Sequence, residues 1–163
     1  MDREMFLNYW YYWTFITYRD IYNMECKVSW LGSGGMAFSA ETGSGHLINM
    51  DGAPEAGGRN LAPRPMELLL AGTGGCSAFD VVLILQRARQ AISACEVILQ
   101  AERASDDPKV FTKINLHFQL RGKDLDEAKV NRAVKLSHEK YCSATTMLSK
   151  TAELTYSVEV ISE

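Results

Sequence analysis

Two cysteines are the residues in this 163-residue chain best suited to chemistry. Cys76 follows the glycine-rich run Ala71-Gly72-Thr73-Gly74-Gly75, and Cys142 follows Glu139-Lys140-Tyr141; a serine comes after each. Both are expected near the start of a helix. Orphan backbone N–H groups and the helix dipole favour negative charge there. A thiol so placed is acidified and supplies a thiolate nucleophile near neutral pH. Should the two helices meet, one sulfur can be oxidised by a peroxide to a sulfenic acid and the other can resolve it to a disulfide. The competing reading is that free cysteines serve as small buried hydrophobes. Cys26 and Cys95, both in expected strands, fit that second description.

Other polar residues carry weaker signals. Asp80 stands four residues after Cys76, hence on the same helical face. Its carboxylate opposes a thiolate unless Arg87 or Arg89 pairs with it. His138 precedes Cys142 by four and would share its face on a continuous helix, although a solvated surface serves equally well. Glu67 lies in the first turn of the first helix, where the dipole alone would favour it. His46 and His117 fall in strands with no evident role. The histidines are few and scattered, so no metal or other cofactor is expected.

Composition narrows the classes. The formal net charge of −3 gives no basic groove for nucleic acid. The four cysteines are too far apart for a C-x-x-C redox motif or half a zinc knuckle. The N-terminus lacks the basic region, apolar core and cleavage site of a signal peptide, so a cytoplasmic location is the expectation. There a disulfide would be transient and chemical rather than structural. Residues 1–23 are crowded with aromatics, among them Trp10, Tyr11, Tyr12 and Trp13. This extension reads either as a docking segment or as the product of an upstream start codon, with ordinary composition beginning at Met24.

The elements that must position the cysteines follow from periodicity. Residues 24–31, 36–40 and 46–51 read as three strands of an antiparallel meander, separated by Gly32-Ser33-Gly34-Gly35 and Thr42-Gly43-Ser44-Gly45. A Gly/Pro/Ala-rich loop runs from Asp51 to Ala62. Pro63 and Pro65 open a short helix, because proline suits a first turn. Gly72, Gly74 and Gly75 each cost a helix about 1 kcal/mol. They are expected to form a joint, with a long central helix following that carries Cys76 near its first turn. Val81–Leu85, apolar on every side, marks that helix as buried. The apolar stretch is judged too brief for a bilayer span. Residues 95–101 and 111–120 read as strands; on the second, Ile114, Leu116, Phe118 and Leu120 face one side and Phe111, Lys113, Asn115, His117 and Gln119 the other. Asp124 or Asp126 caps a helix to about Lys140, a short helix follows Cys142, and 153–161 is the last strand. The expected order is β-β-β-α-α-β-β-α-α-β in one domain over 24–163, an α+β class.

At this level the sequence resembles the OsmC/Ohr superfamily of osmotically inducible and organic hydroperoxide resistance proteins. The stretches carrying the likeness are Ser44-Gly45-His46, Pro65-Met66-Glu67-Leu68, Gly74-Gly75-Cys76-Ser77-Ala78, Asn115-Leu116-His117-Phe118 and Glu139-Lys140-Tyr141-Cys142-Ser143, within about residues 24–162. The resemblance implies antiparallel sheets around a long central helix, an intertwined homodimer, and active sites at the subunit interface. It implies Cys76 as the peroxidatic cysteine, Cys142 as the resolving one, an organic hydroperoxide as substrate and a dithiol as reductant. Leu69, Phe79 and Met147 are expected to line an apolar pocket.

Two departures qualify it. Active members of the superfamily carry an arginine in the early strand-turn region, whereas Gly34-Gly35-Met36-Ala37-Phe38 has none. Arg59 or Arg64 from the loop are the candidates to replace it. The family's catalytic glutamate corresponds best to Met66, with Glu67 one residue displaced, which turns a helical side chain by about 100°. The expected function is a thiol-dependent peroxidase using Cys76 and Cys142, with Glu67 as the accessory group. The alternative is a non-peroxidatic binding or sensing protein that uses the same interfacial pocket for a small apolar or thiol-reactive ligand. Neither requires nucleic acid or membrane.

Overall fold

The computed structural model describes residues 24–32 and 34–163; the aromatic extension 1–23 lies outside them. The described chain divides into two compact units at Pro65 and Met66.

In the first unit, β1 (Cys26–Trp30), β2 (Phe38–Thr42) and β3 (Leu47–Met50) form the expected antiparallel meander, with Val28 opposite Ala40 and Ala40 opposite Ile48. The turn into β3 is held by Thr42, Ser44 and His46, whose side chains hydrogen-bond at 2.9 and 3.1 Å. The loop after β3 is more ordered than its composition suggests. Asp51 is buried, and its carboxylate accepts the backbone N–H groups of Gly52, Arg59 and Leu61 at 2.8, 3.0 and 3.1 Å. The Leu61 bond is the largest influence holding this carboxyl below its ordinary acidity range, and it acts with the other two N–H groups and the nearby Arg59 charge against the opposing effect of burial. A single 3-10 turn, Pro54–Ala56, lies inside the loop.

The second unit starts with α1 (Pro65–Arg87), one unbroken helix of 23 residues where two were expected. The glycines do not break it. Gly74 is needed for close packing: a Cβ there would come within 2.5 Å of a Leu99 methyl, whereas Gly72 and Gly75 face open space. Intrinsic helix propensity is a weak prior that packing overrides. The helix ends with Arg89 at φ 56°, and the N–H groups of Arg89 and Gln90 bond back to the carbonyls of Gln86 and Leu85, a Schellman arrangement. Being continuous, α1 is long and apolar enough by length and composition to cross a bilayer, contrary to the expectation from sequence. One face is nonetheless core: Thr73, Gly74, Ser77, Val81 and Leu85 are buried. The other is not, and Leu69 and Phe79 are exposed in the single chain.

Against α1 lie β4 (Ala91–Arg103), β5 (Phe111–Lys123) and β6 (Glu153–Ser162), with β5 central. β4 and β5 are antiparallel, but β6 runs parallel to β5, so this sheet is mixed rather than wholly antiparallel. Parallel neighbours need a long crossover. α2 (Glu127–Leu136), a π-helical turn (Ser137–Tyr141) and α3 (Ser143–Leu148) supply it. The inner face of β5 contributes Ile114, Leu116, Phe118 and Leu120 to a core shared with Val81, Leu85, Val130, Ala133 and Val134. Phe111 joins them instead of the polar side, because a register shift near Glu102/Arg103 reverses the alternation there. On the outer face Asn115, His117 and Gln119 bond to Thr155, Ser157 and Glu159, each at 2.8 Å.

Candidate functional site

Cys76 lies in the middle of α1, not in its first turn. Its own helix therefore offers it no free N–H groups, and the expected source of acidification fails. Another helix takes that place. Cys142 is the residue before α3, with extended backbone (φ −70°, ψ 105°), and its side chain makes no cap hydrogen bond. The N–H of Ala144 acts on the Cys76 sulfur and that of Thr145 on the Cys142 sulfur. The first turn of α3 thus serves both thiols.

The π turn makes this possible. Asp126 caps α2 through the N–H groups of Ala128 and Lys129 at 2.9 and 3.2 Å, and its own N–H donates to Gln90 at 2.8 Å, tying the start of α2 to the end of α1. After Leu136 the helix widens, and the Cys142 N–H bonds to the Ser137 carbonyl at 2.9 Å. Buried Ser137 shares its hydroxyl between the Ser77 carbonyl at 3.2 Å and Asp80 Oδ2 at 3.4 Å. The chain leaving the π turn is thereby anchored to α1 directly beside Cys76. The sulfurs of Cys76 and Cys142 and a carboxylate oxygen of Asp80 all lie within 4.8 Å of one another.

The two thiols are unequal. Cys142 is fully buried, which pushes its thiol up. The polar groups around it, the Ser77 hydroxyl, the N–H and hydroxyl of Thr145 and the Cys76 thiol, outweigh this, and its net acidity is raised. Cys76 is half-buried. Burial is the chief reason its thiol is pushed up, with Cys142 and Asp80 adding to it and only the Ala144 N–H opposing. The shared negative charge is therefore favoured on Cys142, while solvent reaches Cys76. Burial also raises the Asp80 carboxyl, which Ser137 only partly offsets.

The remaining candidates are elsewhere. Glu67 is exposed in the first turn of α1. At 1.5 Å per residue it stands roughly 13 Å along the helix axis from Cys76, beyond the reach of its side chain. His138 packs its ring on Tyr156 at 4.9 Å between centroids, because the wider turn disturbs the four-residue spacing to Cys142; burial lowers its basicity. Asp80 binds Ser137 rather than Arg87 or Arg89. Arg59 sits in the first unit, where its Nε would lie 3.3 Å from a Cβ at Gly35. Cys95 is half-buried against the core, whereas Cys26 is exposed. Ser77, Ser137 and Thr145 escaped the sequence reading. The serine after Cys76 was visible, but nothing in spacing says that its hydroxyl turns to the other cysteine.

Comparison with known proteins gives a consistent picture. A family model described as OsmC-like protein matches residues 57–157. Protein YhfA of Escherichia coli is 50% identical over 138 residues, which cover 85% of this chain and 98% of that one. A hypothetical protein from Aquifex aeolicus superposes with a TM-score of 0.75 at 30% identity, covering 86% and 98% of the two chains. An organic hydroperoxide resistance protein OsmC from Legionella pneumophila gives a TM-score of 0.61 at 17% identity, covering 84% and 96%; at that identity the likeness is one of fold.

Proposed function

The chain belongs to the OsmC-like protein family, and from that premise we propose that it is a thiol-dependent peroxidase that reduces organic hydroperoxides through Cys76 and Cys142. The observation that supports this is the close approach of the two sulfurs, within 4.8 Å. A disulfide bond of about 2.05 Å then requires a movement of less than about 3 Å.

Cys76 is the attacking residue in this reading because it alone of the pair is solvent-accessible. Its proton passes to the neighbouring Cys142 thiolate as its sulfur attacks the terminal peroxide oxygen. The O–O bond breaks, Cys76 becomes a sulfenic acid, and the departing alkoxide takes a proton from water to leave as alcohol. The Cys142 thiol then attacks the Cys76 sulfur; its proton and the hydroxyl leave together as water, and a disulfide remains. A dithiol reductant returns both to thiols. The hydroxyl of Ser77 and the first-turn N–H groups of α3 hold the charge between these steps. Members of the OsmC/Ohr family are typically dimeric and soluble. A homodimer of this chain, acting in the cytoplasm, would cover exposed Leu69, Phe79 and Met147 and give the site an apolar lining for an organic peroxide. Glu67 would enter such a site only from a second chain.

The test is to mix reduced protein with an organic hydroperoxide and map the product by mass. One Cys76–Cys142 disulfide should form per peroxide consumed, far faster than a free thiol reacts. Cys76→Ser should abolish turnover, and Cys142→Ser should stop at the sulfenic acid. Oxidation at the rate of a free thiol would overturn the reading. A second reading, a binding or sensing protein on the same scaffold, is favoured by the upward push on the Cys76 thiol, with no arginine among the groups that set it. Saturable turnover with a dithiol donor would remove that reading.

A further inference from the structure

The cluster at Cys76, Cys142 and Asp80 has a composition that the peroxidase chemistry does not use in full. Two sulfurs suffice for a disulfide, yet a carboxylate oxygen lies within 4.8 Å of both. Asp80 forms no ion pair among the described residues, and its one hydrogen bond, from the shared Ser137 hydroxyl, is long at 3.4 Å. That leaves acceptor capacity on a carboxylate with an oxygen beside both sulfurs. Three potentially anionic donors converge there. The donors come from rigid parts of the fold. Cys76 and Asp80 are one turn apart on α1, and Cys142 is fixed by its N–H bond to Ser137 and by the Thr146 N–H to its carbonyl at 3.1 Å.

We propose that the reduced protein binds one thiophilic divalent cation of the zinc class through Cys76 Sγ, Cys142 Sγ and an Asp80 carboxylate oxygen. Sulfur and carboxylate are the ligands such ions take, at about 2.3 and 2.0–2.2 Å, and three protein ligands leave a fourth tetrahedral position to water. Ligands around one such ion stand roughly 3.5–3.8 Å apart by that geometry, so the cluster needs only a small contraction. Binding and oxidation exclude each other because both consume the same sulfurs. When an organic hydroperoxide takes two electrons from the two thiolates, it leaves as alcohol and water after uptake of two protons. The disulfide forms and the cation departs still divalent. The cation would thus protect the thiols from slow oxidation, and peroxide would release it.

The experiment titrates the full chain, reduced with a non-thiol phosphine, with Co²⁺ and then Zn²⁺. Expected are a sulfur-to-cobalt charge-transfer band that saturates at one Co²⁺ per chain, and its displacement by Zn²⁺. Asp80→Asn should weaken binding at least tenfold while keeping the band, and Cys76→Ala should remove the band. Wild-type protein oxidised to the disulfide should bind nothing, which tests the site without any substitution. Zinc release on addition of hydroperoxide, followed with a chromogenic chelator, should match disulfide formation one for one. Absence of the charge-transfer band in reduced wild type, or equal affinity in Asp80→Asn, would overturn the proposal. The peroxidase reading is judged separately, by disulfide formation in chelator-treated protein. Either proposal can fail while the other stands.

Discussion

Asp51 is buried and Asp80 half-buried, and their surroundings treat them in opposite ways. Asp51 receives three backbone N–H groups and closes its loop on itself. Asp80 receives part of one hydroxyl and faces two sulfurs. Correspondingly, the acidity of the first is strengthened and that of the second weakened. Hydrogen bonds to the charged form favour it, and burial without them disfavours it. A carboxylate whose acceptors are filled is structural. One left with free acceptor capacity beside nucleophiles is available for chemistry. The surroundings differ in the same sense: the Asp51 loop is closed, whereas the cluster has a packed back, at Gly74 and Ser77, and an open front, at Gly72, Gly75 and Phe79.

The largest effect should come from Asp51→Asn. Amide exchange at Gly52, Arg59 and Leu61 should lose its protection and the melting temperature should fall, while thiol reactivity at Cys76 stays unchanged. The pH dependence follows from the lowered pKa of Asp51. Stability from Asp51 is fully present above the ordinary carboxylate value of about 3.9 and is lost as pH falls through its lower folded value. Wild type should lose loop protection in that acid range, and the variant should lack the transition. Unchanged protection in Asp51→Asn would break the contrast between the two carboxylates.

Gly74→Ala should come next. Its new methyl meets Leu99, and overpacking of this kind costs about 1–3 kcal/mol, read from denaturant unfolding. Asp80→Asn is a subtler change. It removes a charge that raises the Cys76 thiol, so alkylation of Cys76 at neutral pH should speed up a few-fold with the fold intact, measured by iodoacetamide kinetics. A slower reaction would mean that Asp80 assists the thiolate. The smallest effect is expected for Gly72→Ala, where nothing stands within 4 Å of the added methyl. Stability should rise by about 0.4–1 kcal/mol through the unfolded chain. A loss instead, recorded in the assembled protein, would sharpen the comparison by showing that another chain packs closely on the open front.

Much of the scaffold was legible because alternation and turn chemistry are local. The meander, the strand around Phe118, the Asp126 cap and the short helix after Cys142 follow from patterns a few residues long. The single α1 did not, since whether the glycines break it depends on the packing of its buried face, where Gly74 meets Leu99, a residue far away in sequence. Nor did the parallel setting of β6, which the crossover decides, or the reversal at Phe111, which a register shift decides.

The candidate site divides in the same manner. The types Cys76, Cys142 and Asp80, their order and the spacing of Cys76 to Asp80 were set by the sequence, because side chains one helical turn apart share a face. Which backbone groups reach each sulfur was set only by tertiary structure. The π turn, anchored through Ser137, brings the first turn of α3 across the middle of α1. Cys76 thus meets N–H groups that its own helix lacks. Acidity and approach distance are properties of that junction, and a junction between distant segments leaves no periodic trace in either one.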